Sequence, residues 1–173
     1  MAGGEGVNLR DASVSELLRL YKRILRELFE RKVIRTANAP AGDYAEHLVQ
    51  RALGGTIAPN SEKSWDILTE AGRRVQVKCR VVDEPISRGQ RQLSTIRSFD
   101  FDDLAVVLFG PDYSILTAVL VPSEVARTNS AYRAHVNGYT VFATHALLSH
   151  PEAGDITESL RAAADGHEIL AGQ

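Results

Sequence analysis

Apolar residues recur at helical spacing twice in the first third of the chain. Val14, Leu17, Leu18, Tyr21, Leu25 and Leu28 return every three or four positions, which predicts an amphipathic helix. Ser13-Val14-Ser15-Glu16 opens it as a capping box, with Ser13 as the cap and Glu16 three residues on. Arg19, Lys22, Arg23 and Arg26 occupy much of the other surface, so the helix has a basic side. The spacing favours packing on the core; a dimer contact or a phosphate-binding face are the alternatives. Thr36 to Ala41, with Pro40, breaks the chain before a second predicted helix over Gly42 to Leu53. Its apolar stripe is 45, 48, 49, 52 and 53, with Glu46 beside it, and Gly54-Gly55 ends it.

Beyond a polar loop, Pro59 to Ser64, the period changes from helical to two. Trp65 to Thr69 reads as one arm of a hairpin, Glu70-Ala71-Gly72 as the turn and Arg73 to Arg80 as the other arm. Alternation puts Val75, Val77 and Cys79 on one face and Gln76 and Lys78 on the opposite one. The apolar set goes to the core, so the polar pair belongs in a cleft or in water. Leu104 to Phe109 is a continuous apolar run of strand length, as in a central strand covered on both faces. Gly110 to Tyr113 turns the chain, Ser114 to Val121 returns as the next strand, and Pro122-Ser123-Glu124 opens a short helix. Tyr139 to Phe142 is a weaker strand candidate and Thr157 to Ala164 a last helix, with fraying expected from Gly166. Helices and strands interleave, so the fold class expected is α/β, in one domain over 1–173. Its parts are an N-terminal helix (8–35), a core (42–142) and a C-terminal helical segment (143–173).

Composition narrows the class. A hydrophobic fraction of 44% and a charged fraction of 24% are those of a soluble globular protein. No apolar run reaches the ~18 residues of a membrane span, and no secretory leader is expected, so a cytoplasmic location is the expectation. Cys79 is the sole cysteine, which excludes an intrachain disulfide or a thiolate zinc cluster and makes it a core filler. The net charge of −2 is unevenly spread: Arg73 to Arg97 holds seven basic residues against Asp83 and Glu84, whereas from Ser98 onward ten acids face three arginines. Local potential, rather than the total, decides phosphate binding. The basic segment includes a long connection, Val81 to Asp103, expected to be either a functional loop or a mobile surface loop.

Asp66, the Gln76-Val77-Lys78 run and Glu46 together offer two carboxylates, an amide and a cation, which suits a divalent metal and a phosphate. In order and spacing these residues resemble the PD-(D/E)xK nuclease superfamily, in particular its Mrr-like branch with Gln in the third position. Nine residues, 67 to 75, separate the Asp from the Gln, and the likeness spans roughly Gly42 to Val121. Trp65 stands where the family name has Pro, and Gln76 replaces the usual acid.

That resemblance implies a restriction-endonuclease-like core, a central mixed sheet flanked by helices, here with an extra N-terminal helix. It implies Glu46, Asp66, Gln76 and Lys78 as catalytic residues. Mg²⁺, with Mn²⁺ as a substitute, would be held by Asp66, Glu46, the Gln76 amide oxygen and the Val77 carbonyl; with one acid replaced, a single ion is expected. The substrate would be double-stranded DNA, contacted by Lys63, Arg80, Arg88, Arg91, Gln92, Ser94 and Arg97. A homodimer is expected, and a methyltransferase or other defence protein is a possible partner. The other reading is a nuclease fold that no longer cleaves and serves as a DNA-binding or protein-interaction subunit. The five histidines lack metal-ligand spacing, and neither a Gly-x-Ser-x-Gly nor a phosphate-binding Gly-x-x-x-x-Gly-Lys motif occurs.

Overall fold

A computed structural model of the chain describes residues 9–36, 40–59, 62 and 64–168. Its backbone is α/β. A six-stranded mixed sheet has the order β1 (Thr56–Ile57), β2 (Ile67–Leu68), β3 (Arg74–Val81), β4 (Asp103–Phe109), β5 (Ile115–Pro122) and β8 (Gly154–Asp155). β3 and β4 run parallel and the other neighbours antiparallel. β6 (Ser130–Arg133) and β7 (Gly138–Val141) form a separate hairpin. The Tyr139 strand candidate therefore exists, but outside the main sheet. The helices are α1 (Val14–Glu30), α2 (Pro40–Leu53), α3 (Ser123–Thr128), α4 (His145–Leu148) and α5 (Thr157–Glu168). α5 extends to Glu168.

All seven residues of β4 are buried, the outcome its unbroken apolar run requires. Its two faces feed two cores. On one, Val75, Val77, Ala105, Val107 and Phe109 pack beneath Ala45, Leu48 and Val49 of α2 and Leu160 of α5. On the other, Leu104, Val106 and Leu108 meet Leu93, Ile96, Phe101, Val141 and Leu147. The second set comes largely from the connection 82–102, which is thus packed on the sheet through Leu93, Ile96 and Phe101. Leu93 and Ile96 N–H groups donate to the Val141 and Tyr139 carbonyls at 2.9 and 3.0 Å, laying this connection along β7 as a second layer. Its apolar anchors are too irregularly spaced to register as a strand or a helix.

α1 forms with the expected capping box: the Ser13 side chain accepts from the Glu16 N–H, and Glu16 accepts from the Ser13 N–H at 2.8 Å. Its packing departs from expectation. Only Leu25 is buried, with Leu28 beside Val33, Ile34 and Tyr44, while most of the apolar stripe stays exposed. The 3.6-residue period reports that a helix is amphipathic, not what covers its apolar side.

Candidate active site

The predicted hairpin is present, and its short arm makes the site. β2 pairs with β3 only at Ile67–Val75 and Leu68–Arg74, with Gly72 at φ 76° in the turn, a left-handed conformation suited to glycine. Beyond Asp66 the chain leaves β3, so from Val77 onward that edge of β3 has no strand partner among the described residues. The Asp66 carboxylate takes the place of the lost partner: its Oδ2 accepts the Val77 N–H at 2.7 Å. N–H and C=O of one residue point to the same side of a strand, so the Val77 carbonyl is directed at this open edge as well. Gln76, on the face away from α2, is only 6% exposed, and its amide nitrogen donates to the same Asp66 oxygen. Lys78 follows on the Gln76 face.

Glu46 reaches the notch from α2. Burial, then the nearby Asp66 charge, pushes its carboxyl up to about 7, against the pull of Arg35. Burial also raises Asp66, opposed by the Val77 N–H, the Lys78 ammonium and the Gln76 amide. The Cys79 thiol is raised to about 11 by burial and by Glu46, so this cysteine packs against the core as a neutral group. Asp66 therefore lies within reach of the charge of both Glu46 and Lys78. Among the described residues no three His, Cys, Asp or Glu side chains gather where they could hold a metal. A cation here depends on two carboxylates supplemented by neutral oxygens, a donor set that suits Mg²⁺, which is commonly held by one or two carboxylates with water and phosphate completing the octahedron.

Arg35 is the residue that sequence reasoning missed. Its Nη2 forms an ion pair with Glu46, and its Nη1 donates to the Ala58 carbonyl at 3.1 Å. The Arg35 and Thr36 N–H groups both donate to Asp43 Oδ2 at 2.7 Å, fixing the entry to α2. No motif spacing marks it; the nearest signal is a basic residue following the buried pair Val33-Ile34, just before the helix that carries the acid.

The expected DNA contacts divide. Lys63 lies outside the described residues. Arg88, Gln92 and Ser94 are exposed, with Arg88 over the Phe142 ring at 5.6 Å. Arg80 donates to the Gln92 carbonyl, Arg91 to Ala143 at 2.9 Å, and Arg97 to the Val136 and Asn137 carbonyls. These three arginines hold the connection in place and keep their charge. Arg73 and Arg74 are instead matched by Asp103 and Asp102, with Arg73 forming two bonds at 2.6 and 2.8 Å, so the basic field of the segment is narrower than its count implies.

No protein-family model matches this sequence, and no curated protein does. What the notch can do is decided by its own donors. No helix among the described residues is long and apolar enough to cross a membrane.

Proposed function

We propose that this protein is a divalent-metal-dependent endonuclease of double-stranded DNA, with a restriction-endonuclease-like core. The observation that carries this reading is the pairing of two half-buried carboxylates at the open edge of β3, with the Lys78 ammonium acting on one of them, Asp66. The order helix acid, Asp entering a strand, then Gln-x-Lys on the next strand is met by α2, β2 and β3. Glu46, Asp66, the Gln76 amide oxygen and the Val77 carbonyl would hold Mg²⁺. When bound, the ion supplies Lewis-acid charge at the phosphate and a water made nucleophilic near neutral pH. Lys78 orients the attacking water and balances negative charge that builds on the phosphate. Asp66, anchored by the Val77 N–H, holds its carboxylate toward the open edge. Arg88, Arg91 and Arg97 of the connection 82–102, with Arg80 of β3, would supply positive charge to the DNA backbone. The cellular setting we infer is restriction or another form of genome defence, with a methyltransferase as the natural partner.

A second reading has one specific observation in its favour. Arg35 already neutralises Glu46, and the Gln76 nitrogen rather than its oxygen meets Asp66, an arrangement that also suits a DNA-binding or protein-interaction subunit without cleavage. Supercoiled plasmid incubated with Mg²⁺ separates the two. Nicking that stops with EDTA is expected of the enzyme; salt-sensitive binding without nicking would identify the silent subunit.

Metal binding has a predictable pH dependence. Glu46 titrates near 7 in the fold against an ordinary value of 4.5, so the folded state holds the extra proton between those values. Its contribution to stability accordingly falls as pH rises through that window and is level above it. A cation takes the ionised form, so Mg²⁺ should raise the Tm clearly at about pH 8 and little at about pH 5.5. Thermal melts at both pH values check this, and equal shifts would contradict it.

A further inference from the structure

The first three turns of α1 carry an apolar seam with nothing of the described chain upon it. Val14, Leu17, Leu18, Tyr21 and Ile24 are between 36 and 74% exposed, although residues of these types ordinarily lie inside. The helix packs on the body near its C-terminal end, through Leu25 and Leu28 against Val33, Ile34 and Tyr44, with Tyr21 within electrostatic reach of Tyr113. Val14, Leu17, Tyr21, Ile24 and Leu28 follow one another at intervals of three, four, three and four residues. That is the heptad spacing by which two helices interlock side chain into gap.

We infer that α1 is a self-association helix, and that the occupant of its seam is the same seam of a second copy of this chain. Three observations favour a second copy over an unrelated partner. First, the seam is self-complementary: with a two-fold axis crossing beside Arg19, Val14 meets Ile24 of the other copy and Leu17 meets its Tyr21, so each of these four residues has an apolar counterpart. Second, the basic residues Arg19, Lys22, Arg23 and Arg26 lie off the line of these four residues, so pairing does not bury them unpartnered. Third, the area suffices. With Leu18 beside the seam included, the exposed fractions amount to roughly 500 Å² per copy, or about 1,000 Å² for the pair, at the lower edge of specific protein interfaces. Interfaces at this lower edge are commonly weak and transient. A groove of about 430 Å³, lined by Leu20, Arg23, Ile24, Glu27, Leu28 and Arg31, lies along the seam's C-terminal end. The inference does not depend on the proposed activity, because no residue of the notch takes part.

Sedimentation equilibrium of the full chain over roughly 1 to 200 µM tests it. The wild type should pass from monomer to dimer across that range. Leu17→Glu/Ile24→Glu should stay monomeric throughout, with an unchanged far-UV spectrum because both positions are exposed. Arg19→Glu, a charge change off the seam, should dimerise like the wild type. A wild type monomeric at every concentration overturns the proposal, and so does a double variant that still dimerises. A dimer that survives in the double variant would place the contact elsewhere. Plasmid nicking by the monomeric variant reads out separately whether the proposed activity stands, so failure of one claim is distinguishable from failure of the other.

Discussion

Lys78→Ala is expected to lower the rate of Mg²⁺-dependent plasmid nicking by on the order of 10²-fold or more at saturating metal. Lys78 lies two residues along β3 from Gln76, and its charge already helps to keep the Asp66 carboxyl from rising further. Removing it therefore has two consequences of different size. Asp66 becomes somewhat harder to ionise, which weakens metal binding modestly and is overcome by adding metal. The charge opposite the phosphate in the transition state is lost outright, and metal cannot restore it. The variant should bind DNA with near wild-type affinity and a similar melting temperature, because a half-buried ammonium at an open strand edge contributes little to stability. Lys78→Arg keeps the charge but replaces a compact ammonium by a planar fork, so only partial recovery is expected. Quantified nicking rates check this, and an Ala variant as fast as the wild type would remove Lys78 from the reaction.

The second large effect is on the fold. Phe109→Ala should destabilise the protein by about 3–5 kcal/mol, a large part of the ~5–15 kcal/mol that holds a domain of this size together. Phe109 ends β4 fully buried, with Tyr44 stacked on it at 5.5 Å between ring centroids and Tyr113 tilted against it at 5.8 Å. Tyr44 stands two residues before Glu46 on α2 and also touches the α1 anchor around Leu25. The same ring thus supports the central strand, the helix that delivers the site's second carboxylate and the root of α1. Urea unfolding measures the loss; a cost under about 1 kcal/mol would mean that the aromatic cluster repacks without it.

The sequence was most readable where periodicity and burial agree. The unbroken apolar run Leu104 to Phe109 is what a strand covered on both faces needs, and the 75, 77, 79 alternation against 76 and 78 follows directly from strand geometry. The capping box at Ser13 marked the start of α1 correctly, since a cap is a local hydrogen-bond pattern. What covers a face is decided by the rest of the chain, which is why α1 proved mostly bare. The two-residue strands β1 and β8 are too short to carry a period at all. In the candidate site, Glu46, Asp66, Gln76 and Lys78 were legible because each follows from an element's face or end. Arg35 was not, because its pairing with Glu46 joins a linker to a helix through tertiary contact alone. The connection 82–102 misled for a related reason: arginines that read as free cations partly serve as hydrogen-bond anchors to backbone carbonyls.

On the proposed function, Glu46 and Asp66 form one cation-binding unit. Calorimetric titration of Mn²⁺ into the wild type and into Asp66→Asn at about pH 8 tests it most directly, since at that pH Glu46 is ionised. One ion per chain in the wild type, with no detectable binding in the variant, is the predicted result. Absence of binding to the wild type, or equal binding to both, would contradict the account.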